Sequence, residues 1–340
     1  MSQTERWQVR GQPAAVNMMQ GAVRSGRVAH AYLFAGPRGV GKATAARAFA
    51  RALVCEAESP EERPCGRCPA CVDAAAGRHV DVHVVAPEED KLLIDQVRRM
   101  HQLALLRAVR GRRKVFIVEA IDTATPEAQN ALLKVLEEPP GETVFILIAH
   151  NETPLLPTVV SRCVTVRFGR LPREVAAAIL RERFGYGDAA ELGAALGDGS
   201  IAQATRLSPV ELLQRRDEAL ALLGGLLGAA PAAVPKQAEA WHKRRDELAE
   251  LLEILQTWLR DVLLCQHRPD VLDNPGAWLV HFDRVEDLKS YARAMGPDQV
   301  MTALEHILAF HRRLSENVGV RPLVDVLFLD LAACGRRPAA

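Results

Sequence analysis

The sequence has no run of about 18 consecutive apolar residues, so a membrane-spanning helix is not expected. The segment from Met1 to Arg6 runs into Trp7 and Gln8 without the apolar core of a secretory leader. Charge of one sign is missing too: 43 Lys+Arg stand against 42 Asp+Glu, a formal +1. Residues 1–165 hold 21 basic and 18 acidic side chains, and the remainder 22 and 24. Neither half is a basic arm or an acidic tail, which argues against a chain-wide field for nucleic acid. Cysteine is scarce, seven in 340 residues, too few for a disulfide scaffold. The expectation is a cytoplasmic chain in which thiols stay reduced and clustered cysteines signal metal before disulfide.

What is present is the usual globular mixture, 49% hydrophobic and 25% charged, over a length that suggests two or three domains. Up to about residue 168, short apolar runs alternate with helix-like stretches. The predicted strands are Ala31–Ala35, Val82–Val85, Val115–Val118, Val144–Ile148 and Val164–Phe168, mostly apolar as strands buried on both faces are. A helix is predicted over Pro126–Glu138, with Ala128, Ala131, Leu132, Val135 and Leu136 on one face. Thr125 caps it, Pro126 fits its first position, and Pro139-Pro140-Gly141 ends it. Such alternation predicts a parallel α/β sheet. Beyond 168 the strand signal stops. Leu171–Leu207 reads as a small helical unit, and further helices are predicted over Lys236–His267, Val285–Met295, Pro297–Asn317 and Pro322–Leu331.

The first chemical motif follows the first strand. Gly36-Pro37-Arg38-Gly39-Val40-Gly41-Lys42 is a glycine-rich turn between a strand and a helix. Its backbone N–H groups and the helix dipole suit an anion, and Lys42 would reach the β- and γ-phosphates. The next position, which should carry a hydroxyl for Mg²⁺, is Ala43; Thr44 comes one residue, about 100° of helix rotation, too late. After strand Val115–Val118 an ATPase of this kind needs Asp-Glu, and this chain has Glu119-Ala120. Two polar groups of one reaction are missing, so a site that holds ATP or ADP without hydrolysing it is expected.

Four of the seven cysteines, Cys55, Cys65, Cys68 and Cys71, lie within 17 positions. Four thiolates complete a tetrahedral Zn²⁺ shell, and Pro64, Gly66 and Pro69 suit a tight loop around an ion. Structural zinc is the expectation, with independent DNA reading and redox chemistry as lesser alternatives. His79 is a spare ligand candidate that a closed shell does not need.

Taken with Gly11-Gln12, His30 through Pro37, Asn130 through Lys134, Leu136 through Pro140 and Ser161-Arg162-Cys163, these motifs resemble the bacterial DNA polymerase III clamp-loader subunits of the AAA+ class. The resemblance covers residues 7–168 and continues more weakly through Trp258-Leu259-Arg260-Asp261. It implies an α/β plus all-α fold: an AAA+ P-loop parallel-sheet domain (1–168, zinc module at about 55–80), a helical lid (169–208) and a C-terminal helical collar (209–335) joining a five-subunit ring. An ATP-hydrolysing gamma/tau subunit of that family would carry Lys-Thr, Asp-Glu and a lid motif Gly-Ser-x-Arg. Here stand Lys42-Ala43, Glu119-Ala120 and Gly199-Ser200-Ile201-Ala202, with Arg206 one helical turn late. These losses look like the delta-prime branch, a stator that does not itself turn over ATP.

The resemblance also implies a role for Arg162, donated across a subunit interface to a neighbour's ATP, where such an arginine is worth about 10³–10⁵ in rate. The implied partners are gamma/tau and delta subunits, the sliding clamp through the complex, and primed DNA without base preference. Asn151 resembles a γ-phosphate sensor. A basic run, Arg98, Arg99, Arg107, Arg110, Arg112, Arg113 and Lys114, reads either as a face toward DNA phosphates or as a solvated helix and loop. Trp241 and Trp258 are expected in a helical core. The competing functional readings are an active gamma/tau-like ATPase and a zinc-stabilised DNA-binding module.

Overall fold

The computed structural model describes residues 6–227, 229–314 and 320–335. Residues 1–5, Gly228 and the end of the predicted helix Pro297–Asn317 lie outside them. Five strands form one parallel sheet: β1 (Ala31–Ala35), β2 (Val82–Val85), β3 (Lys114–Val118), β4 (Thr143–Ala149) and β5 (Val164–Arg167). The spatial order is β2-β3-β4-β1-β5, with Phe116 beside Phe145 and Leu33 beside both Leu147 and Thr165. No strand follows β5 among the described residues.

Helix α1 (Pro13–Ser25) precedes β1, and the helices between the strands are α2 (Lys42–Val54), α3 (Pro69–Ala75), α4 (Ile94–Leu105), α5 (Pro126–Glu137) and α6 (Pro157–Val160). Side chains alternate along each strand, so the sheet has two apolar faces. Tyr32, Phe34, Val115, Ile117, Ile146 and Val166 share one core with Met19 of α1 and Phe49 of α2. Leu33, Phe116, Val118, Phe145 and Leu147 share the other with Met100 of α4 and Leu132 of α5. The predicted cap of α5 is present: the Thr125 side chain accepts from the Ala128 amide at 3.2 Å, with Pro126 in the first turn.

The rest of the chain is helical: α7 (Arg173–Phe184), α8 (Ala190–Leu196), α9 (Ile201–Ala204), α10 (Pro209–Leu226), α11 (Val234–Glu239), α12 (Arg245–His267), α13 (Pro275–Trp278), α14 (Val285–Ala294), α15 (Pro297–Leu314) and α16 (Val320–Cys334). The chain divides into two compact units, one of residues 1–175 with 199–202, the other of 176–198 with 203–340. In the second unit Leu223, Leu251, Leu255, Trp258, Val262, Val300, Ile307, Val324 and Phe328 are fully buried in one core. The predicted helix Lys236–His267 is interrupted, ending at Glu239 and resuming at Arg245. The break is a packed turn: Trp241 is buried, and the Arg244 guanidinium sits 4.2 Å from its ring centre. Hydrophobic spacing runs through this turn and does not register it. No helix among the described residues is long and apolar enough to cross a membrane.

Candidate functional site

The glycine-rich turn lies where β1 ends and α2 begins, at the carboxyl edge of the parallel sheet, the place where open α/β sheets bind ligands. Gly36 is held with φ 149°, and a Cβ there would come within 2.1 Å of the Phe168 carbonyl oxygen. Gly39 has φ 76°, and a Cβ there would stand 2.3 Å from Ser200 Oγ and 2.7 Å from the Ala202 nitrogen. Two of the glycines are therefore required by close backbone approach. Gln12 braces the turn from outside: its amide donates to the Val40 and Gly169 carbonyls at 3.2 and 2.7 Å and accepts from the Gly169 amide.

Lys42 opens α2 and is buried. Its ammonium bends back into the turn, donating to the Gly36 and Pro37 carbonyls at 2.6 and 2.5 Å. Burial draws its pKa down to about 8; Asp122 opposes the shift and Arg38 adds to it. Ala43 is half-buried against the sheet, while Thr44 is exposed, so the two positions do face different ways. At the end of β3, Glu119 is drawn to Arg47 at 2.8 Å. Ala120 sits in the left-handed region, φ 47°, and brings no polar side chain. The 199–202 segment lies against the turn, with the Ile201 amide donating to the Gly39 carbonyl at 3.0 Å and Ala202 beside Gly39.

Three residues at this edge carry chemistry that the motifs did not single out. Asp122 accepts from the Asn151 amide at 3.2 Å, and its other oxygen is a buried atom lacking a hydrogen bond. His150, after β4, has its pKa lowered by burial first and by Lys42 second. Gln129 of α5 donates to the Ala124 and Pro154 carbonyls and accepts from the Leu156 amide at 2.8 Å, tying two loops to one helix. Polar residues after the carboxyl ends of β3 and β4 were the available signal. Asn151 is exposed, and its side chain accepts from the Thr153 amide at 3.0 Å, closing a local turn.

Arg162 follows α6, away from the chain's own glycine-rich turn in sequence and on a different strand connection. Its Nη1 donates to the Thr158 carbonyl at 3.0 Å and its Nη2 to Glu137 at 2.7 Å. Ser161 Oγ donates to the same Thr158 carbonyl. Burial pushes the neighbouring Cys163 thiol up to about 12, so it is an inert packing group.

The four clustered cysteines converge. Their sulfurs all lie within 4.8 Å of one another, with Cys55 to Cys68 and Cys65 to Cys71 at 4.0 Å. Tetrahedral Zn–S bonds of about 2.3 Å would set sulfurs about 3.8 Å apart. Cys55 caps the end of α2, and Cys71 lies inside α3. The amides of Cys65, Cys68 and Cys71 each donate to a cysteine sulfur at 3.4 Å, an arrangement that favours thiolates. Cys71 hydrogen-bonded to Cys55 pulls the Cys55 pKa down to about 4 and its own up. These residues could hold a metal ion. His79 lies outside the group and accepts from the Asp81 amide at 3.1 Å.

The basic run 98–114 is dispersed by the fold. Arg98 pairs with Asp95, Arg99 with Glu88, Arg113 with Glu142, and Arg110 with both Glu56 and Asp73. Lys114 is buried, donating to the Leu103 and Leu106 carbonyls. Beneath the loop after α4, the fully buried Asp81 accepts from the amides of Val109, Arg110 and Gly111 at 2.6–2.8 Å.

A family model described as DNA polymerase III, delta subunit, matches residues 11–172, and one for the C terminal of that subunit matches residues 211–323. The DNA polymerase III subunit delta' of Pseudomonas aeruginosa is 45% identical over 138 residues, 40% of this chain and 42% of its own length. The subunit delta' of Bacillus subtilis is 29% identical over 324 residues, 94% of this chain and 96% of its own. The subunit tau of Bacillus subtilis is 31% identical over 330 residues, 93% of this chain and 55% of that one. The chain thus spans less than half of the Pseudomonas relative and nearly all of the Bacillus delta'.

Proposed function

We propose a function from one premise: the chain belongs to the DNA polymerase III clamp-loader family, in its delta-prime branch. It acts as the stator-like subunit of the clamp-loader complex, helping ATP-driven loading of the sliding clamp while turning over no ATP itself. One observation carries the second half of this reading. The phosphate turn keeps its glycine geometry, yet Ala43, Ala120 and Ala202 occupy the positions where a metal ligand, a water-orienting acid and a lid arginine would act. Of the carboxylates at this edge, Glu119 is paired with Arg47 at 2.8 Å, and Asp122 accepts from the Asn151 amide.

In this reading Arg162 is the chain's contribution to chemistry, offered to the ATP of a neighbouring gamma/tau subunit to stabilise charge that grows as the γ-phosphoryl leaves. Gly36, Gly39, Gly41 and Lys42 remain able to hold the phosphates of ATP or ADP once Lys42 releases the turn's carbonyls. The cysteine cluster holds structural Zn²⁺, which fixes the segment between α2 and α3. The chain works in the cytoplasm beside gamma/tau and delta subunits, with a lid at 169–208 and a collar at 209–335, and meets the clamp and primed DNA as part of the complex. The near balance of charge suits a subunit whose main contacts are other proteins.

ATP hydrolysis by the isolated chain, and by the chain with gamma-type partner and primed DNA, tests this. No turnover alone, with full turnover of the partner requiring the chain, is the expected result. Robust turnover alone would assign an active gamma/tau-like ATPase instead, and tight DNA binding alone a DNA-binding module.

A further inference from the structure

We infer that Glu137 is a positioning residue for Arg162, fixing the plane in which its guanidinium is presented. The inference rests on the proposed role of Arg162 and adds the residue that sets its geometry.

Glu137 is the last residue of α5, a place where a carboxylate meets the negative end of the helix dipole and the helix gains nothing from it. The helix itself is firmly seated, with Leu132, Val135 and Leu136 buried against the sheet, and Pro139-Pro140 follow its C-cap residue Glu138. A rigid element therefore carries an acid whose partner is elsewhere in the chain. That partner is Arg162, bonded through Nη2 at 2.7 Å, with the two side chains 51% and 35% exposed.

The second contact fixes orientation. Nη1 donates to the Thr158 carbonyl at 3.0 Å, in the short helix α6 that precedes the arginine. Two bonds to one planar group, one from each terminal nitrogen, define its plane as well as its place. A guanidinium carries more donors than these two bonds use, Nε among them, so it can meet an anion while still held. Half-exposed ion pairs add little to stability. What this pair does supply is restriction of a long side chain with many rotamers, the kind of preorganisation from which an arginine acting on a phosphoryl group benefits.

The test uses the assembled complex with its gamma-type ATPase subunits, measuring kcat and KM for ATP with primed DNA. The variants are E137A, E137Q, R162A and E137A combined with R162A, each checked for assembly by gel filtration. E137A is expected to lower kcat by about three- to tenfold with KM within about twofold, as lost positioning does. E137Q, which keeps an oxygen acceptor, should recover part of that loss. In the R162A background, E137A should change nothing further. If E137A is silent while R162A lowers turnover, the positioning role is wrong and the arginine's role stands. If E137A costs the same with or without Arg162, its effect is general and the inference also fails. If R162A itself is silent, both fall. Should E137A not assemble, E137Q against R162A makes the same comparison.

Discussion

Ile201 gives its amide hydrogen to the Gly39 carbonyl at 3.0 Å, so a segment from beyond the sheet closes over the glycine-rich turn. The contact works only because residue 39 lacks a side chain: a Cβ would stand 2.3 Å from Ser200 Oγ and 2.7 Å from the Ala202 nitrogen. Gly39→Ala is therefore expected to lift this segment and to strain a φ of 76°, costing about 1–3 kcal/mol. Hydrogen exchange at the Ile201 amide should accelerate well ahead of that at β1. Unchanged exchange would show that the segment does not depend on this approach.

Asp81 predicts an acid-sensitive loop. Burial raises its pKa, but the three amides of Val109, Arg110 and Gly111 more than offset this, and the net shift is downward. A carboxylate whose folded pKa lies below its unfolded value of about 3.9 stabilises the fold above that value, and the stabilisation is lost as pH falls through the folded value. Asp81→Asn should cost about 2–3 kcal/mol at pH 7 in urea unfolding and progressively less below about pH 4. A cost that does not shrink with acid would contradict this origin.

Metal removal should be felt outside the cysteine cluster. Arg110 pairs with Glu56 at 3.2 Å and Asp73 at 2.9 Å, residues next to Cys55 and two past Cys71. Chelation, or Cys68→Ser, is expected to abolish stoichiometric zinc and to raise hydrogen exchange across residues 106–113 as well as 55–75. Protection of 106–113 that survives metal loss would mean that this loop is held without the cysteine module.

Arg162→Ala is expected to leave folding and assembly intact, since its contacts are half-exposed, and to lower DNA-stimulated ATP turnover of the complex by about tenfold or more. Turnover in the assembled complex is the measurement, and an unchanged rate would remove the residue from the reaction.

Much of this architecture is legible along the chain. Strands β1 and β2 have the predicted bounds, and the others differ by one or two residues. The inner strands β1, β3 and β4 are buried along their length as expected, whereas the edge strands β2 and β5 are partly exposed and show instead as short β-branched runs. The Thr125–Pro126 start of α5 and the convergence of four cysteines are equally local, set by cap chemistry and short spacing. The break between α11 and α12 is different in kind. Hydrophobic spacing continues through 240–244, and only the burial of Trp241 under Arg244 shows the turn. The pairing of the basic run 98–114 is hidden for a related reason: the partners of Arg99, Arg110 and Arg113, namely Glu88, Glu56, Asp73 and Glu142, lie on other segments.

The sequence by itself determined the parallel sheet, the helical remainder, the glycine-rich turn without its neighbouring polar groups and the four clustered cysteines. Each depends on residue type and spacing within one stretch of chain, where steric preference and periodicity act directly. Tertiary structure alone decided that Asp81 nests the 109–111 amides and that Glu137 holds Arg162. Those are pairings between distant segments, and a charge or donor written in sequence does not name its partner until the sheet has brought the two together.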